Sequence, residues 1–299
     1  MVGHEGFRDR VGRGAPGALT RTLRGAARSL GRATAGSRVL PDFLLIGAQR
    51  GGTTTLYHYL IQHPQVLGGV ADKEVHFFDL RHAQGLDAYR GAFPSRRSVT
   101  RAAERAGAPV VVGEATPYYL FHPAVPGRVA ADLPEVRLIA VLRDPVERAW
   151  SHYRHEVDLG YETLPFEAAL DAEPERLDGA TEHLASDRDA TSFSHQHHSY
   201  VARGRYLEQL ERWWSVFPRD RLLLVRSEDL YADPAPVFAS IAEHLGVRTW
   251  QPPAWRAYNA STSTGLTPET RERLRETFRG WNERLAEATG RSWSWDEAG

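Results

Sequence analysis

A glycine- and threonine-rich turn offers the clearest chemistry in the sequence. It is Gly47–Thr55, which follows a short apolar segment and precedes a segment of helical character. Glycines allow successive backbone N–H groups to converge, and a helix N-terminus adds partial positive charge to such a turn. An arginine adds a planar cation that suits phosphate or sulfate, and threonine hydroxyls can donate to the same oxygens. We predict that this turn binds an anionic group through Arg50, Gly51, Gly52, Thr53, Thr54 and Thr55.

The turn differs from the nucleotide-binding loop of P-loop NTPases. That loop requires glycine, four residues and then Gly-Lys-Ser/Thr. Here Thr53 stands in the lysine position, and the basic residue Arg50 comes earlier. The third apolar run ends in Arg143-Asp144, and we expect Asp144 to cap a helix instead of holding magnesium. Magnesium-dependent phosphoryl transfer from ATP is therefore disfavoured, although a P-loop kinase stays an alternative.

A second set of ionisable side chains lies in the strip Lys73–Asp79. In an extended strip, Glu74 and His76 project to the same side. Glu74 is a candidate general base, and we expect a nearby anionic ligand to raise its pKa. His76 is a candidate for stabilising a transferred group or orienting an acceptor. Glu-x-His pairs are common on protein surfaces, so the significance of this one depends on the anion-binding turn.

The composition excludes several classes of site. The 299 residues carry 37 Lys and Arg against 38 Asp and Glu, so no overall basic footprint for nucleic acid is present. The absence of cysteine excludes disulfides, thiolate metal sites and cysteine nucleophiles, and favours a cytoplasmic setting. Four histidines between residues 183 and 198 lack the paired spacing of zinc sites, so no metal site is expected. They are His183, His195, His197 and His198.

The first 38 residues differ from the rest. They are rich in Arg, Gly and Ala, and they lack the apolar core of a signal peptide. We expect residues 1–38 to form a poorly ordered basic leader with a short helix near Leu19–Leu30, which allows weak contact with a membrane surface. Residues 39–299 suit a single domain. No apolar run approaches the roughly 20 residues of a membrane-spanning helix, and the sequence predicts no particular oligomeric state.

Short apolar runs alternate with helical patterns along that domain. Such alternation predicts an α/β fold with a mostly parallel sheet and helices on both faces. Ligands bind such sheets at the carboxyl ends of the strands, where the turn and Arg143-Asp144 fall. Residues 172–198 show no period and are expected to form a long surface excursion. Strands are expected at 41–47, 110–112, 136–142 and 222–225, and helices at 54–62, 145–159, from 199 onwards, at 234–245 and after Thr267-Pro268.

Three segments, in this order along the chain, resemble motifs of the sulfotransferases that use 3'-phosphoadenylyl sulfate (PAPS). Ile46–Thr54 resembles their 5'-phosphosulfate loop, and Leu142–Tyr153 resembles their 3'-phosphate motif. Lys73–Asp79 is similar to the segment that carries the catalytic carboxylate in the heparan sulfate N- and 3-O-sulfotransferase branch. With Arg203-Gly204-Arg205-Tyr206, the likeness spans roughly Pro41 to the C-terminus. It implies a three-layer, P-loop-NTPase-like fold, PAPS as the donor and no required metal.

The resemblance also implies roles for individual residues. It assigns Arg50 through Thr55 to the 5'-phosphosulfate, and Arg143 and Ser151 to the 3'-phosphate. The family's loop over the adenosine has no clear counterpart in this sequence, and Ser263-Thr264-Gly265 is the best candidate for it. The resemblance makes Glu74 the base, with His76 and Arg50 assisting sulfuryl transfer. The candidate acceptor contacts are Lys73, Asp79, Tyr119 and Tyr206. For Lys73 the alternatives are the donor or solvent, and for Asp79 the alternative is the cap of a turn.

Two departures from the family pattern affect the implied chemistry. Arg50 stands where the family usually has lysine. Ala115 stands where the glycosaminoglycan branch has a second lysine. The second departure argues against a heparan-like polysaccharide acceptor. The expected acceptor is a hydroxyl or amine of a carbohydrate, glycolipid or small metabolite. A non-catalytic nucleotide-binding module is a further alternative, which the presence of Glu74 and His76 disfavours.

Overall fold

The computed structural model describes residues 31–70, 73–251, 255, 265–293 and 295. Its strands are β1 (Phe43–Gly47), β2 (Val66–Leu67), β3 (Val111–Ala115), β4 (Arg137–Leu142) and β5 (Leu222–Arg226). Its α-helices are α1 (Thr53–Leu60), α2 (Leu86–Arg90), α3 (Arg96–Ala106), α4 (Val125–Asp132), α5 (Pro145–Leu159), α6 (Phe166–Leu177), α7 (Ala180–Ser186), α8 (Phe193–His197), α9 (Tyr206–Trp214), α10 (Ser227–Ala232), α11 (Pro234–Leu245) and α12 (Pro268–Thr289). Within these ranges, no helix combines the length and apolar character needed to cross a bilayer.

The five strands form one parallel sheet in the order β2-β3-β1-β4-β5. The chain builds β2 and β3 on one side of β1 and then crosses to the other side for β4 and β5. Phe43 at the start of β1 is paired with Gly113 of β3 and Arg137 of β4. The direction of winding therefore changes between β1 and β4, and a crevice opens at their carboxyl ends.

Alternate side chains of β1 enter different parts of the core. Leu44 and Ile46 belong to a cluster with Trp213 of α9, whereas Phe43 and Leu45 belong to a cluster with α1 and α11. Side chains alternate between the two faces of a strand, so both faces of this sheet are covered. All five residues of β1 are buried. The structure thus confirms the predicted parallel α/β sheet with helices on both faces.

Helix α5 begins and ends where the sequence predicts. The Asp144 carboxylate accepts from the Val146 amide at 2.8 Å, and Gly160 ends the helix with φ +75°. Pro145 at the first position and glycine just after the last are the usual signals for such limits. Because this cap is local, it fixes the position of the helix directly after β4.

The prediction for residues 172–198 is wrong. This segment contains the second half of α6 and all of α7 and α8. Pro174 lies inside α6 and breaks the helical sequence pattern, while the Ser192 hydroxyl caps α8 by accepting from His195 N at 3.2 Å. Helix α9 also begins later than predicted, at Tyr206, because a 3₁₀ turn at Ala202–Gly204 precedes it. Strand β2 was missed because it has two residues.

The domain begins before the predicted boundary at residue 39. Ala35 is buried, and the Arg38 guanidinium donates to the Phe93 carbonyl at 2.6 Å. Residues 35–38 therefore pack on the domain, although the sequence placed them in the leader. The predicted helix near Leu19–Leu30 lies outside the described residues.

Candidate active site

A cavity of about 840 Å³ opens at the carboxyl ends of β1, β4 and β5. Its walls come from the anion-binding turn, the strip that contains Glu74, the inward side of α5, and α8. The turn, the strip and the Arg143–Ser151 segment, far apart along the chain, therefore meet at one opening. This is the crevice that the strand order creates.

The turn is held in shape by contacts that use two of its six predicted ligand residues. The Gly51 amide donates to Ala48 O at 2.9 Å, and a Cβ at Gly51 would lie 2.5 Å from Val141 O. The Thr55 hydroxyl is buried and bonds Tyr231 Oη at 3.2 Å. Gly51 and Thr55 thus support the turn and do not line the cavity. The other four do line it, and these are Arg50, Gly52, Thr53 and Thr54.

Two guanidinium groups meet at one end of the cavity. Arg50 Nε donates to Ser151 Oγ at 3.0 Å, and Arg143 Nη1 donates to the Arg50 carbonyl at 3.4 Å. Arg143, which precedes α5, also pairs with Glu147 in the first turn of that helix, at 3.8 Å. Burial and the neighbouring Arg143 charge lower the pKa of Arg50 from its ordinary value. A multiply charged anion would relieve this crowding of positive charge.

Lys73 connects the turn to the strip. Its Nζ donates to Thr54 Oγ1 at 3.0 Å and also contacts Thr53 and Glu74, each at 3.4 Å. Burial lowers the pKa of Lys73, the Glu74 carboxylate opposes that shift, and the Arg50 charge adds to it. Of the alternatives that the sequence left open for Lys73, the acceptor, the donor or solvent, the structure favours the donor side, since it holds the amine against the anion-binding turn.

The predicted pair Glu74 and His76 is extended by a third group. His76 Nε2 lies 3.2 Å from Glu74 Oε2, and its Nδ1 lies 2.6 Å from Asp79 Oδ2. Burial would lower the pKa of His76, but hydrogen bonds to the two carboxylates outweigh burial and raise the pKa to about 10. The ring is therefore protonated at neutral pH, and both of its nitrogens donate.

Two cations flank the Glu74 carboxylate and determine its pKa in this arrangement. Burial acts to raise the pKa, but the His76 hydrogen bond and the Lys73 charge together lower it below its ordinary value. The predicted rise of this pKa requires an anionic ligand beside the carboxylate and stays a prediction. Asp79 is also no acceptor contact, because it is buried behind His76 and accepts from Leu80 N at 2.7 Å.

A buried carboxylate at the end of β3 anchors the strip. Glu114 accepts from the Val75 amide at 3.2 Å and from Tyr119 Oη at 3.1 Å. The Tyr119 oxygen in turn accepts from Phe77 N at 3.0 Å. Tyr119 is fully buried, so it positions the strip and does not contact an acceptor. Burial raises the pKa of Glu114 despite these hydrogen bonds.

Tyr206 also differs from expectation, whereas most of the predicted adenosine loop is not tested. Tyr206 is buried in the core and donates to the Arg143 carbonyl at 2.7 Å, so it supports the donor side instead of an acceptor. Gly265 lies close to the Trp150 ring, outside the cavity wall, with φ +102°. Ser263 and Thr264 lie outside the described residues.

Several wall residues were missed by the sequence analysis. Glu156 of α5 is buried 3.2 Å from His152 Nε2 and bonds His197 Nδ1 at 2.9 Å, and these two histidines outweigh burial and lower its pKa to about 2. His155 lies one turn beyond Ser151 and also lines the cavity. The i, i+4 spacing from Ser151 could have revealed His155. No comparable signal connects α8 to α5. Among the described residues, no cluster of three or more His, Asp or Glu side chains is arranged to hold a metal.

Comparison with known proteins establishes the family. Residues 40–262 match the family model of the sulfotransferase domain. The chain belongs to the sulfotransferase family. A solved sulfotransferase from Alicyclobacillus acidocaldarius superimposes with a TM-score of 0.63 at 29% identity, covering 86% of this chain and 99% of that one. This confirms both the resemblance stated from the motifs and the fold that it implied.

Curated relatives of this sulfotransferase include two kinds of heparan sulfate enzyme. Heparan sulfate glucosamine 3-O-sulfotransferase 3B1 of Mus musculus is 27% identical over 286 residues, which cover 88% of this chain and 66% of that protein. Bifunctional heparan sulfate N-deacetylase/N-sulfotransferase 3 of Homo sapiens is 30% identical over 216 residues, 70% of this chain and 22% of that protein. The chain therefore spans slightly less than two thirds of the first relative and a fifth of the second.

Proposed function

We propose that this sulfotransferase moves the sulfuryl group of PAPS to an acceptor hydroxyl or amine, with Glu74 as the base. The observation that carries the proposal is the contact of Arg50 with Ser151 beside Arg143. It joins the turn suited to a phosphosulfate with the pair that the family resemblance assigns to the 3'-phosphate. Both belong to the cavity that Glu74 also lines.

The lining residues fit such a donor. Arg50, Lys73 and Arg143 supply positive charge, and hydroxyls of the turn and of Ser151 supply hydrogen-bond donors. Gln49 Oε1 is buried in the same wall and has no hydrogen-bond partner among the described residues. A buried carbonyl of this kind calls for a donor group on a ligand or on water. When bound, PAPS supplies an activated sulfuryl group on a phosphate oxygen.

Glu74 would accept the proton of the attacking hydroxyl or amine. Its lowered pKa keeps the carboxylate ionised at neutral pH, so it is ready to accept. The protonated His76 holds one carboxylate oxygen, and buried Asp79 holds His76 from the other side. The base is thus oriented by a chain of three side chains before any acceptor arrives.

Arg50 and Lys73 would stabilise charge on the oxygen that leaves sulfur. Preorganised cations at the position of developing charge are commonly the largest single contribution to such transfers. Arg50 stays protonated, so it stabilises charge without giving up a proton. Lys73 lies on the turn hydroxyls and is the only lysine in the sequence. It therefore supplies the ammonium that the Arg50 position lacks.

Thermal-shift titration tests the donor. Clear stabilisation by 3'-phosphoadenosine 5'-phosphate without magnesium, with weaker stabilisation by ATP and magnesium, is expected because only the first ligand fills both anion sites. The reverse order would favour the P-loop kinase alternative.

Transfer of radiolabelled sulfate from PAPS tests the base. Glu74→Gln should abolish most transfer while retaining binding of the nucleotide product, because the carboxylate acts on the acceptor. Glu104→Gln, on the exposed side of α3, is the matched control and should transfer normally. Full activity of Glu74→Gln would remove Glu74 from the mechanism.

A further inference from the structure

Lys73 carries the only side-chain amine of the protein. The sequence contains 37 lysines and arginines, and Lys73 is the single lysine among them. An amine forms a stable amide with an activated acyl group once it has lost its proton, whereas a guanidinium keeps its proton and is a poor nucleophile. A reagent that acylates amines can therefore modify one side chain of this protein, besides the N-terminal amine.

The Lys73 amine lies in the open cavity and against the anion-binding turn. The side chain is 22% exposed and lines the cavity together with Arg50, Thr53 and Thr54. Its Nζ lies 3.0 Å from Thr54 Oγ1 and 3.4 Å from Thr53 Oγ1. A phosphate held by these two hydroxyls and by Arg50 would lie next to the nitrogen. A nucleophile and a phosphate-binding turn thus occupy the same corner of the cavity.

Glu74 lies where it can take a proton from this amine. Its Oε1 is 3.4 Å from Lys73 Nζ, and the carboxyl is ionised, because the His76 hydrogen bond and the Lys73 charge outweigh burial and lower its pKa. Burial also lowers the pKa of Lys73, Glu74 opposes that shift, and the Arg50 charge adds to it. More of the amine is therefore free at neutral pH than in an exposed lysine.

The other carboxylates of the cavity wall have partners elsewhere. Backbone amides at the start of α5, arginines or histidines hold each of them. Among the described wall carboxylates, Glu74 is the one that contacts Lys73, so Arg50 keeps its charge available for an anion even when the amine is neutral. The carboxylates with other partners are Asp144, Glu147, Glu156 and Glu228.

We propose that Lys73 is a modification site: an acyl phosphate places its phosphate group in the anion-binding turn and transfers its acyl group to the Lys73 amine. The lone pair of Nζ attacks the acyl carbon. The bond from that carbon to the phosphate oxygen breaks, and inorganic phosphate leaves with the electron pair of that bond. Glu74 takes the proton that the nitrogen loses. The products are an amide on Lys73 and free phosphate, and no further reactant is needed.

The amide changes the anion-binding turn. It carries no charge, so the turn loses an ammonium group, and the acyl group lies over the Thr53 and Thr54 hydroxyls. Loss of a hydrogen bond to a charged group should weaken binding of 3'-phosphoadenosine 5'-phosphate roughly 10- to 100-fold. Acylation would therefore switch off the proposed transfer. The modification itself requires a turn that binds phosphate and does not depend on PAPS as the donor.

Timed acetylation of the full chain, followed by peptide mass spectrometry, tests the inference. The reagents are acetyl phosphate and the N-hydroxysuccinimide ester of acetic acid, which has no phosphate. The measured quantity is the acetylation rate at Lys73 divided by the rate at the N-terminal amine. Acetyl phosphate should give a ratio at least about tenfold larger than the ester does, because the turn holds it beside the nitrogen.

Arg50→Gln is the test variant, and Arg97→Gln, at an exposed position of α3, is the matched control. The control should keep the difference between the two reagents, and the variant should lose most of it. Comparing two reagents on the same protein cancels the effect of the Arg50 charge on the pKa of Lys73. A difference that persists in Arg50→Gln, or equal ratios for the two reagents in the wild type, would overturn the inference.

Competition experiments use the wild type alone. Inorganic phosphate, at constant ionic strength, should slow the reaction of acetyl phosphate at Lys73 and leave the N-terminal amine unaffected, and a lack of competition would contradict binding in the turn. Saturating 3'-phosphoadenosine 5'-phosphate separates this inference from the proposed function. If inorganic phosphate protects Lys73 and the nucleotide does not, the modification site stands and the proposed donor is wrong.

Discussion

Arg50 donates its Nε hydrogen to the hydroxyl of Ser151 at 3.0 Å, across 101 positions of sequence. The bond fixes the turn after β1 to the inward side of α5. Because Ser151 is buried, the contact also holds the guanidinium in one orientation. The two anion-binding elements are thereby preorganised as one surface before a ligand enters.

Ser151→Ala should weaken binding of 3'-phosphoadenosine 5'-phosphate about two- to tenfold. The change removes a hydrogen-bond partner of Arg50, and such a bond contributes about 0.5–1.5 kcal/mol. Isothermal titration calorimetry measures the affinity directly. Ser240→Ala, at an exposed position of α11, is the control. An unchanged affinity for the nucleotide would mean that the Ser151 hydroxyl does not contribute to donor binding.

Arg143→Ala should selectively reduce affinity for nucleotides with a 3'-phosphate. Hydrogen bonds to charged groups contribute about 1.5–3 kcal/mol, so a loss of roughly 10- to 100-fold is expected. ADP, which lacks that phosphate, should bind the variant and the wild type with similar affinity. The ratio of the two dissociation constants is the measurement. A parallel loss for both nucleotides would show that Arg143 serves the turn and not the 3'-phosphate.

The anion-binding elements could be predicted because their signals are local. The glycines of the turn and the Asp144-Pro145 cap each lie within a few residues of the element they define. Helix limits of that kind depend on neighbouring backbone groups and need no tertiary information. Each strand and helix was likewise recognised from its own residues, and their alternation along the chain predicted the parallel sheet.

Residues that depend on distant contacts could not be predicted. The bond between Glu156 and His197 joins positions 41 residues apart, and α8 itself lay in a segment without periodicity. Tyr119 was predicted to contact an acceptor, but its burial and its hydrogen bond to Glu114 place it in the core. The pKa of Glu74 depends on two flanking cations whose orientation no sequence pattern specifies.

His76→Gln should change stability in a pH-dependent way. The folded pKa of His76 is raised to about 10 from an ordinary value of 6.5. Its protonated form therefore stabilises the fold fully below about pH 6.5, and this contribution declines as the pH rises towards 10. Urea unfolding at pH 6, 8 and 9.5 should show the difference between wild type and variant shrinking in that order.

His183→Gln, at an exposed position of α7, is the control for this series. Its difference from the wild type should stay small at each pH. A His76→Gln difference that is constant, or that grows with pH, would contradict protonation of His76 between Glu74 and Asp79.

The single lysine permits a direct test of the proposed charge at the leaving oxygen. Lys73→Met should lower the transfer rate about 10- to 100-fold, because the turn loses an ammonium group near the reacting atoms. Lys73→Arg keeps the charge and should recover part of the rate. Stopped-time assays with radiolabelled PAPS at saturating donor give kcat. If Lys73→Met keeps the wild-type kcat, Lys73 serves only to support the turn.

Amine-selective acylation supplies an independent measurement, since Lys73 is the only lysine that can react. Its lowered pKa leaves more free amine than an ordinary lysine has at pH 8. Peptide mass spectrometry separates this product from acylation of the N-terminal amine, which acts as the internal control. Saturating 3'-phosphoadenosine 5'-phosphate should protect Lys73 while the N-terminus reacts as before. Because the Lys73 amine lies 3.0 Å from the Thr54 hydroxyl, a ligand on the turn must cover it, and equal labelling with and without nucleotide would place the donor elsewhere.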